Sequence, residues 1–157
     1  MEYTIRAFRE REYPLLEDFL YEAIFIPEGA APPPRDIVYQ PELQVYVEGF
    51  GSRDGDISLC AESCGRIVGA VWGRIMNDYG HIDDGTPSLA ISLYKEYRGQ
   101  GIGTALMRAV IEAYRDAGYK RLSLAVQKAN YAVKLYKKSG FKTVLENDEE
   151  YIMLCEW

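Results

Sequence analysis

"EYRGQGIGTALMRAV", residues 96–110, opens as a loop and closes as a helix. Gly99, Gly101 and Gly103 sit two apart behind Arg98, and an apolar helical stripe follows at once. A glycine inside a helix costs roughly 1 kcal/mol against alanine. Three at the mouth of one helix therefore point to a turn that bares backbone N–H groups to an anion. A helix N-terminus carries about half a positive charge and several unpaired donors, which makes phosphate its natural ligand. Two phosphate loops fail on spacing. No lysine follows as a nucleoside-triphosphate loop requires, and Thr104 stands where a dinucleotide loop needs its third glycine.

Short or alternating apolar runs predict seven strands around this turn: 3–8, 57–62, 66–75, 88–94, 121–126, 142–146 and 151–156. The short turn at Gly65 makes 57–75 an antiparallel hairpin, and the apolar-or-glycine faces of its second strand place that strand inside the sheet. Helices fill the gaps. One follows Pro14, with Leu15, Leu16, Phe19, Leu20 and Ala23 at helical spacing. A second runs from Ile102 to a stop at Gly118, and a third spans 130–139, with Asn130 as N-cap and Gly140 as terminator. The prolines of "IPEGAAPPPRDIVYQP" forbid regular structure, and "PELQVYVEGF" reads as a short helical stretch. The order describes a mixed sheet with helices packed on it. The strand-helix-strand unit over 88–126 makes its two strands parallel.

A chain of 157 residues, nearly half of them apolar, fits a single domain spanning 1–157. No stretch approaches the roughly 18 apolar residues of a membrane span, so no membrane partner is expected. The start lacks the basic-then-apolar order of a secretory signal, and Cys60, Cys64 and Cys155 form neither a disulfide framework nor a metal set. The expectations are a cytoplasmic protein without a metal. A net charge of -6 argues against broad nucleic-acid binding and suits a cationic partner better. The acidic run 146–150 reads first as a solvated turn, with attraction of such a cation as the second reading. It and loop 27–41 are the segments expected to shape that partner's site.

Arg98-Gly99-Gln100-Gly101-Ile102-Gly103 fits R/Q-x-x-G-x-G/A, and "NYAVKLYKKSGF" (130–141) fits N-x-A-x-x-L-Y-x-x-x-G-F. Together the two segments resemble the GNAT N-acetyltransferases, in element order over essentially the whole chain and specifically over 88–141. The resemblance implies an α/β fold with a mostly antiparallel seven-stranded sheet, a central parallel pair and helices on both faces. It implies acetyl-CoA as acyl-donor cosubstrate, lying where 88–94 and 121–126 splay apart. The backbone of Ile91, Ser92 and Leu93 would pair with its pantetheine arm, and Gly99, Gln100, Gly101, Ile102, Gly103 and Thr104 would hold its diphosphate. Asn130 would contact the arm, cap the third helix, or both. Arg98 would meet a CoA phosphate, and Lys95, Lys137 and Lys138 are further candidates for the 3′-phosphate.

The implied activity is acetyl transfer to the primary amine of a small molecule or peptide, with a homodimer left open. A non-catalytic acyl-CoA sensor on the same fold is the alternative. An alkylamine of pKa near 10.4 is neutral in only about one part in 2,500 at pH 7, a handicap of roughly 4.6 kcal/mol that a base must recover. Tyr136 matches the family's proton donor to the departing thiolate. The base is not legible: "SLAISLY" has no carboxylate, and Glu96 lies toward the diphosphate. Water, Glu28, His81, Asp83 and Asp84 remain as candidates. Backbone N–H groups near Leu93 suit an oxyanion, while Cys60 and Cys64 read as core and turn residues.

Overall fold

The computed structural model describes residues 2–157. Seven strands form one sheet: β1 (Thr4–Ala7), β2 (Ile57–Ser63), β3 (Arg66–Arg74), β4 (Ser88–Leu93), β5 (Arg121–Gln127), β6 (Lys142–Glu146) and β7 (Glu150–Glu156). Their spatial order is β1-β2-β3-β4-β5-β7-β6. Every neighbouring pair is antiparallel except β4 and β5, whose parallel pairing consists of the single match Ser88↔Ser123. The β2–β3 hairpin closes through Cys64 and Gly65, both at positive φ (52° and 78°), the geometry whose twist matches paired strands.

Period-two alternation gives the sheet two apolar faces. Val71, Leu89, Leu122, Leu124 and Met153 face α3 (Ile102–Asp116), which buries Ile102, Leu106, Met107, Val110, Ile111 and Tyr114 against them. α4 (Val133–Lys138) joins the same core through Tyr136. Cys60, Ala70 and Trp72 face the other way, onto Leu16, Phe19 and Leu20 of α1 (Leu16–Glu22) and Val38. The short α2 (Pro41–Gln44) completes that face. β3, mid-sheet, is covered on both sides. No helix among the described residues is long and apolar enough to cross a membrane.

Beyond small shifts at strand ends, the helical segments depart from the sequence expectation most clearly at three places. The first helix begins as a 3₁₀ segment, Glu10–Leu15, and turns α at Leu16. Residues 35–39, expected to be irregular, form a 3₁₀ helix because Pro34 stands before its first turn, where a missing N–H costs nothing and its C=O accepts from Ile37 at 3.1 Å. The third helix starts at Val133 rather than next to Asn130. The Asn130 side chain accepts from the Ala132 N–H at 2.9 Å, closing a turn one step ahead of the helix.

At the sheet edge, Arg6 donates to both carboxylate oxygens of Glu12 at 2.9 Å and to Glu62 at 3.1 Å. The Arg6 guanidinium is the main reason the Glu12 carboxyl falls to about 2. A carboxyl depressed on folding stabilises the native state above its unfolded pKa, near 4.5, and that contribution disappears as pH falls through about 2. Glu12→Gln is therefore expected to melt below the wild type at neutral pH, with the two melting temperatures converging as the solution is acidified from about pH 5 to 2; parallel melting curves across that range would show the pair to be neutral.

Candidate active site

Because β4 and β5 meet only at Ser88↔Ser123, they part toward their C-terminal ends. The Tyr94 N–H bonds to Val68 O at 3.1 Å, and alternation along the β3–β4 ladder then commits Ser92, Ala90 and Ser88 to β3. Leu89, Ile91 and Leu93 consequently turn their backbone groups toward β5, as Pro87 does when its C=O accepts from Ser123 at 3.0 Å. The expectation for Ser92 is corrected here. Its backbone is consumed by Ala70 of β3, and its hydroxyl donates to Phe19 O at 2.6 Å. Ile91 and Leu93 alone of the three present main chain to the gap, and the Leu93 C=O accepts from Arg98 Nε at 3.0 Å.

The gap opens into a cleft of about 240 Å³ that reaches both faces of the sheet. Leu20, Ala23, Ile24 and Phe25 line it from α1 and its C-terminal extension, Leu43 and Tyr46 from α2 and the turn behind it, and Asn130 and Tyr136 from the other side. Residues 27–41 do not line it. The loop is tied to α1 instead, with Tyr21 donating to Pro33 O at 2.5 Å and Arg35 paired with Asp18. A larger hollow of about 540 Å³, between Thr4, Glu62 and Gly65, lies at the β1 edge, three strands from β4.

The glycine turn stands at the end of β4. Gly99 (φ 74°) and Gly101 (φ 86°) occupy left-handed backbone, and a Cβ on either would meet nothing within 4 Å, so the space before the turn is open. Gly101 caps α3 with no side-chain hydrogen bond, and no acidic residue sits in the first turn. The N–H groups of Ile102, Gly103 and Thr104 precede the first α-helical bond, from Ala105 to Gly101 O, and are bare for an anion. Gly103 serves packing: a Cβ there would stand 3.5 Å from Leu135 and 3.9 Å from Leu93, so α4 and β4 close on the helix start. The Gln100 side chain folds back to Glu96 O at 3.0 Å. Arg98 turns inward, to Leu93 O and to Glu22 at 3.4 Å, and ties the end of β4 to α1.

Tyr136 is 8% exposed and lines the cleft, and burial alone pushes its phenol up to about 12. It stays protonated at neutral pH. On the α1 side, Tyr46 donates to Asp78 at 2.8 Å, and burial together with that carboxylate raises its pKa far above the phenol range. Ser88 donates to the second Asp78 oxygen at 2.8 Å.

None of the side chains put forward as base lines the cleft. His81 Nδ1 lies 2.8 Å from Met76 O, and its Nε2 lies 3.5 Å from Asp84. Asp83 accepts from Thr86 and Gly85, which hold its carboxyl below the usual range, and pairs with Arg121. Glu28 is exposed on the 27–41 loop. The structure instead places in the cleft Glu150, the last residue of the acidic run expected to shape the site, which the sequence did not single out as a base. Its position as first residue of β7 was the missed signal. The described residues hold no group of three side chains suited to a metal ion.

Residues 17–141 match the model of the acetyltransferase (GNAT) family. The chain belongs to that family. N-acetyltransferase 8B of Homo sapiens is 31% identical over 108 residues, covering 68% of this chain and 48% of that protein. An N-alpha-acetyltransferase of Sulfurisphaera tokodaii is 34% identical over 93 residues, 54% of this chain and 55% of that one. The chain thus spans about half the length of the curated relatives it matches. Among solved structures, the PaiA N-acetyltransferase of Thermoplasma acidophilum, in complex with coenzyme A, superposes with a TM-score of 0.73 at 19% identity over 100% of both chains. The shared fold is therefore the GNAT fold: a mostly antiparallel seven-stranded sheet with one parallel pair and helices on both faces.

Proposed function

We propose that residues 1–157 act as one acetyl-CoA-dependent N-acetyltransferase domain that moves an acetyl group to the primary amine of a small molecule or peptide. The observation that carries this reading is the parting of β4 from β5 directly beside an uncapped, glycine-led helix N-terminus. An extended pantetheine arm would add to the free edge of β4 at Ile91 and Leu93 as a short strand does, and its diphosphate would sit on the N–H groups of 102–104, before the open space at Gly99 and Gly101. Tyr136 would return a proton to the sulfur. The relatives' names and the coenzyme A complex of the Thermoplasma protein support the donor.

The test is release of CoA from acetyl-CoA with a panel of primary amines: 2-phenylethylamine, phenylalanine, spermidine and a short peptide with a free N-terminus. Turnover with at least one is expected. Tight CoA binding with no turnover on any of them would replace the enzyme by a CoA sensor, and failure to bind CoA would remove both readings.

A further inference from the structure

The cleft lacks a base on β4, yet it holds one charge. Among the described residues that line it, Glu150 alone is ionisable to a carboxylate, and no lysine or arginine accompanies it. Lys128, just past β5, is held by Glu146 at 2.6 Å. Glu150 is fixed by its backbone: its N–H donates to Asn147 Oδ1 at 2.8 Å, its C=O accepts from the Asn147 N–H at 3.0 Å, and it opens β7 opposite Gln127.

Register decides its face. Residues directly opposed across a ladder share a face, so Glu150 lies with Gln127, Ala125 and Ser123. The Ser123 hydroxyl meets that of Ser88 at 3.2 Å, and Ser88 reaches Asp78 beside Tyr46, which places this face toward α1 and α2. Tyr136 lies in the core of the opposite face. A carboxylate and a buried phenol thus enter one cleft from opposite sides of the sheet. Asp78, the other carboxylate nearby, already has both oxygens engaged.

We propose, on the acetyltransferase reading above, that Glu150 takes the proton from the acceptor's ammonium, and that the acceptor is a primary amine with an apolar body and no carboxylate beside its nitrogen. Glu150 accepts one proton from R–NH₃⁺, and the freed nitrogen pair attacks the thioester carbon. A C–N bond forms, the C–S bond breaks with its electron pair on sulfur, and sulfur takes a proton from Tyr136. Of the three ammonium protons, one stays on the amide, one makes good the proton lost by Tyr136, and one passes through Glu150 to water. The apolar walls from Leu20, Ala23, Ile24, Phe25 and Leu43 suit a hydrocarbon body. A carboxylate next to the nitrogen would face Glu150 with no cation in the lining to answer it.

CoA release is measured for wild type, Glu150→Gln and Glu149→Gln, on the best amine of the panel and on the matched pair 2-phenylethylamine and phenylalanine. Glu150→Gln is expected to lower kcat/KM for the amine by about 10²–10⁴-fold at neutral pH. The deficit should shrink as pH approaches the amine's own pKa, about 10, because solvent then supplies the neutral amine. The KM for acetyl-CoA should hold, and Glu149→Gln, one residue along and exposed, should match the wild type. An active wild type with Glu150→Gln within about threefold of it overturns the base assignment, as does a deficit equal at every pH with a lowered melting temperature. A wild type that prefers phenylalanine overturns the acceptor class alone. A wild type inert on every amine overturns the acetyltransferase reading itself, and the proposal with it.

Discussion

Tyr136→Phe is expected to lower kcat by about 10²–10⁴-fold while acetyl-CoA affinity stays within a few-fold. Phenylalanine keeps the ring that packs near Phe141, with centroids 6.3 Å apart, and removes little except the proton donor. With its phenol pushed up to about 12, Tyr136 remains protonated across the working range, so the wild type's kcat should show no alkaline fall caused by this residue near neutral pH. Pre-steady-state release of CoA separates the roles. A slowed chemical step in the variant supports proton donation, whereas an unaltered burst in both proteins shows that water protonates the sulfur. Loss of both affinity and melting temperature would mark the hydroxyl as structural.

Asp56→Ala is expected to give the largest loss of stability, about 3–5 kcal/mol, because it strands a buried charge. Arg74 has no exposed surface; its Nε and Nη2 donate to the two Asp56 oxygens at 3.0 and 2.8 Å, and its Nη1 donates to Val45 O and Glu48 O at 3.1 and 2.7 Å. Without Asp56 the guanidinium keeps two carbonyls and loses its counter-ion. For a domain of this size the loss corresponds to a fall in melting temperature of roughly 6–20 °C. Removing both charges together, as in Asp56→Leu with Arg74→Met, should cost less than Asp56→Ala alone, since the desolvation penalty goes with the pair. A double variant worse than the single one would refute that account. Val45 and Glu48 flank Tyr46 of the cleft, so the single variant should also weaken amine turnover.

The local code of this chain was strong where backbone geometry left no choice. Alternation located all seven strands to within a few residues, and the left-handed positions at Gly65, Gly99 and Gly101 had to be glycines or near-equivalents for those turns to exist. The strand-helix-strand order set β4 and β5 parallel before any contact was known. The pattern around Tyr136 marked one group of the candidate site, and the glycine spacing marked another.

Partners across the sheet were beyond it. Which backbone groups β4 spends on β3 depends on ladder register, and that register removed Ser92 from the gap and left Ile91 and Leu93 facing it. Arg98 reads in sequence as a partner for a CoA phosphate, but the fold brings Glu22, 76 positions away, within 3.4 Å of it. Glu150 sits in a run of acids that looks solvated along the chain. Pairing with β5 turns it into the cleft and onto the face opposite Tyr136. Local geometry is decided by neighbours in sequence, so turns, strands and helix ends were readable from the residues themselves. Burial, register and charge pairing are decided by segments distant in sequence, and only the closed tertiary structure could say which carboxylate meets the cleft.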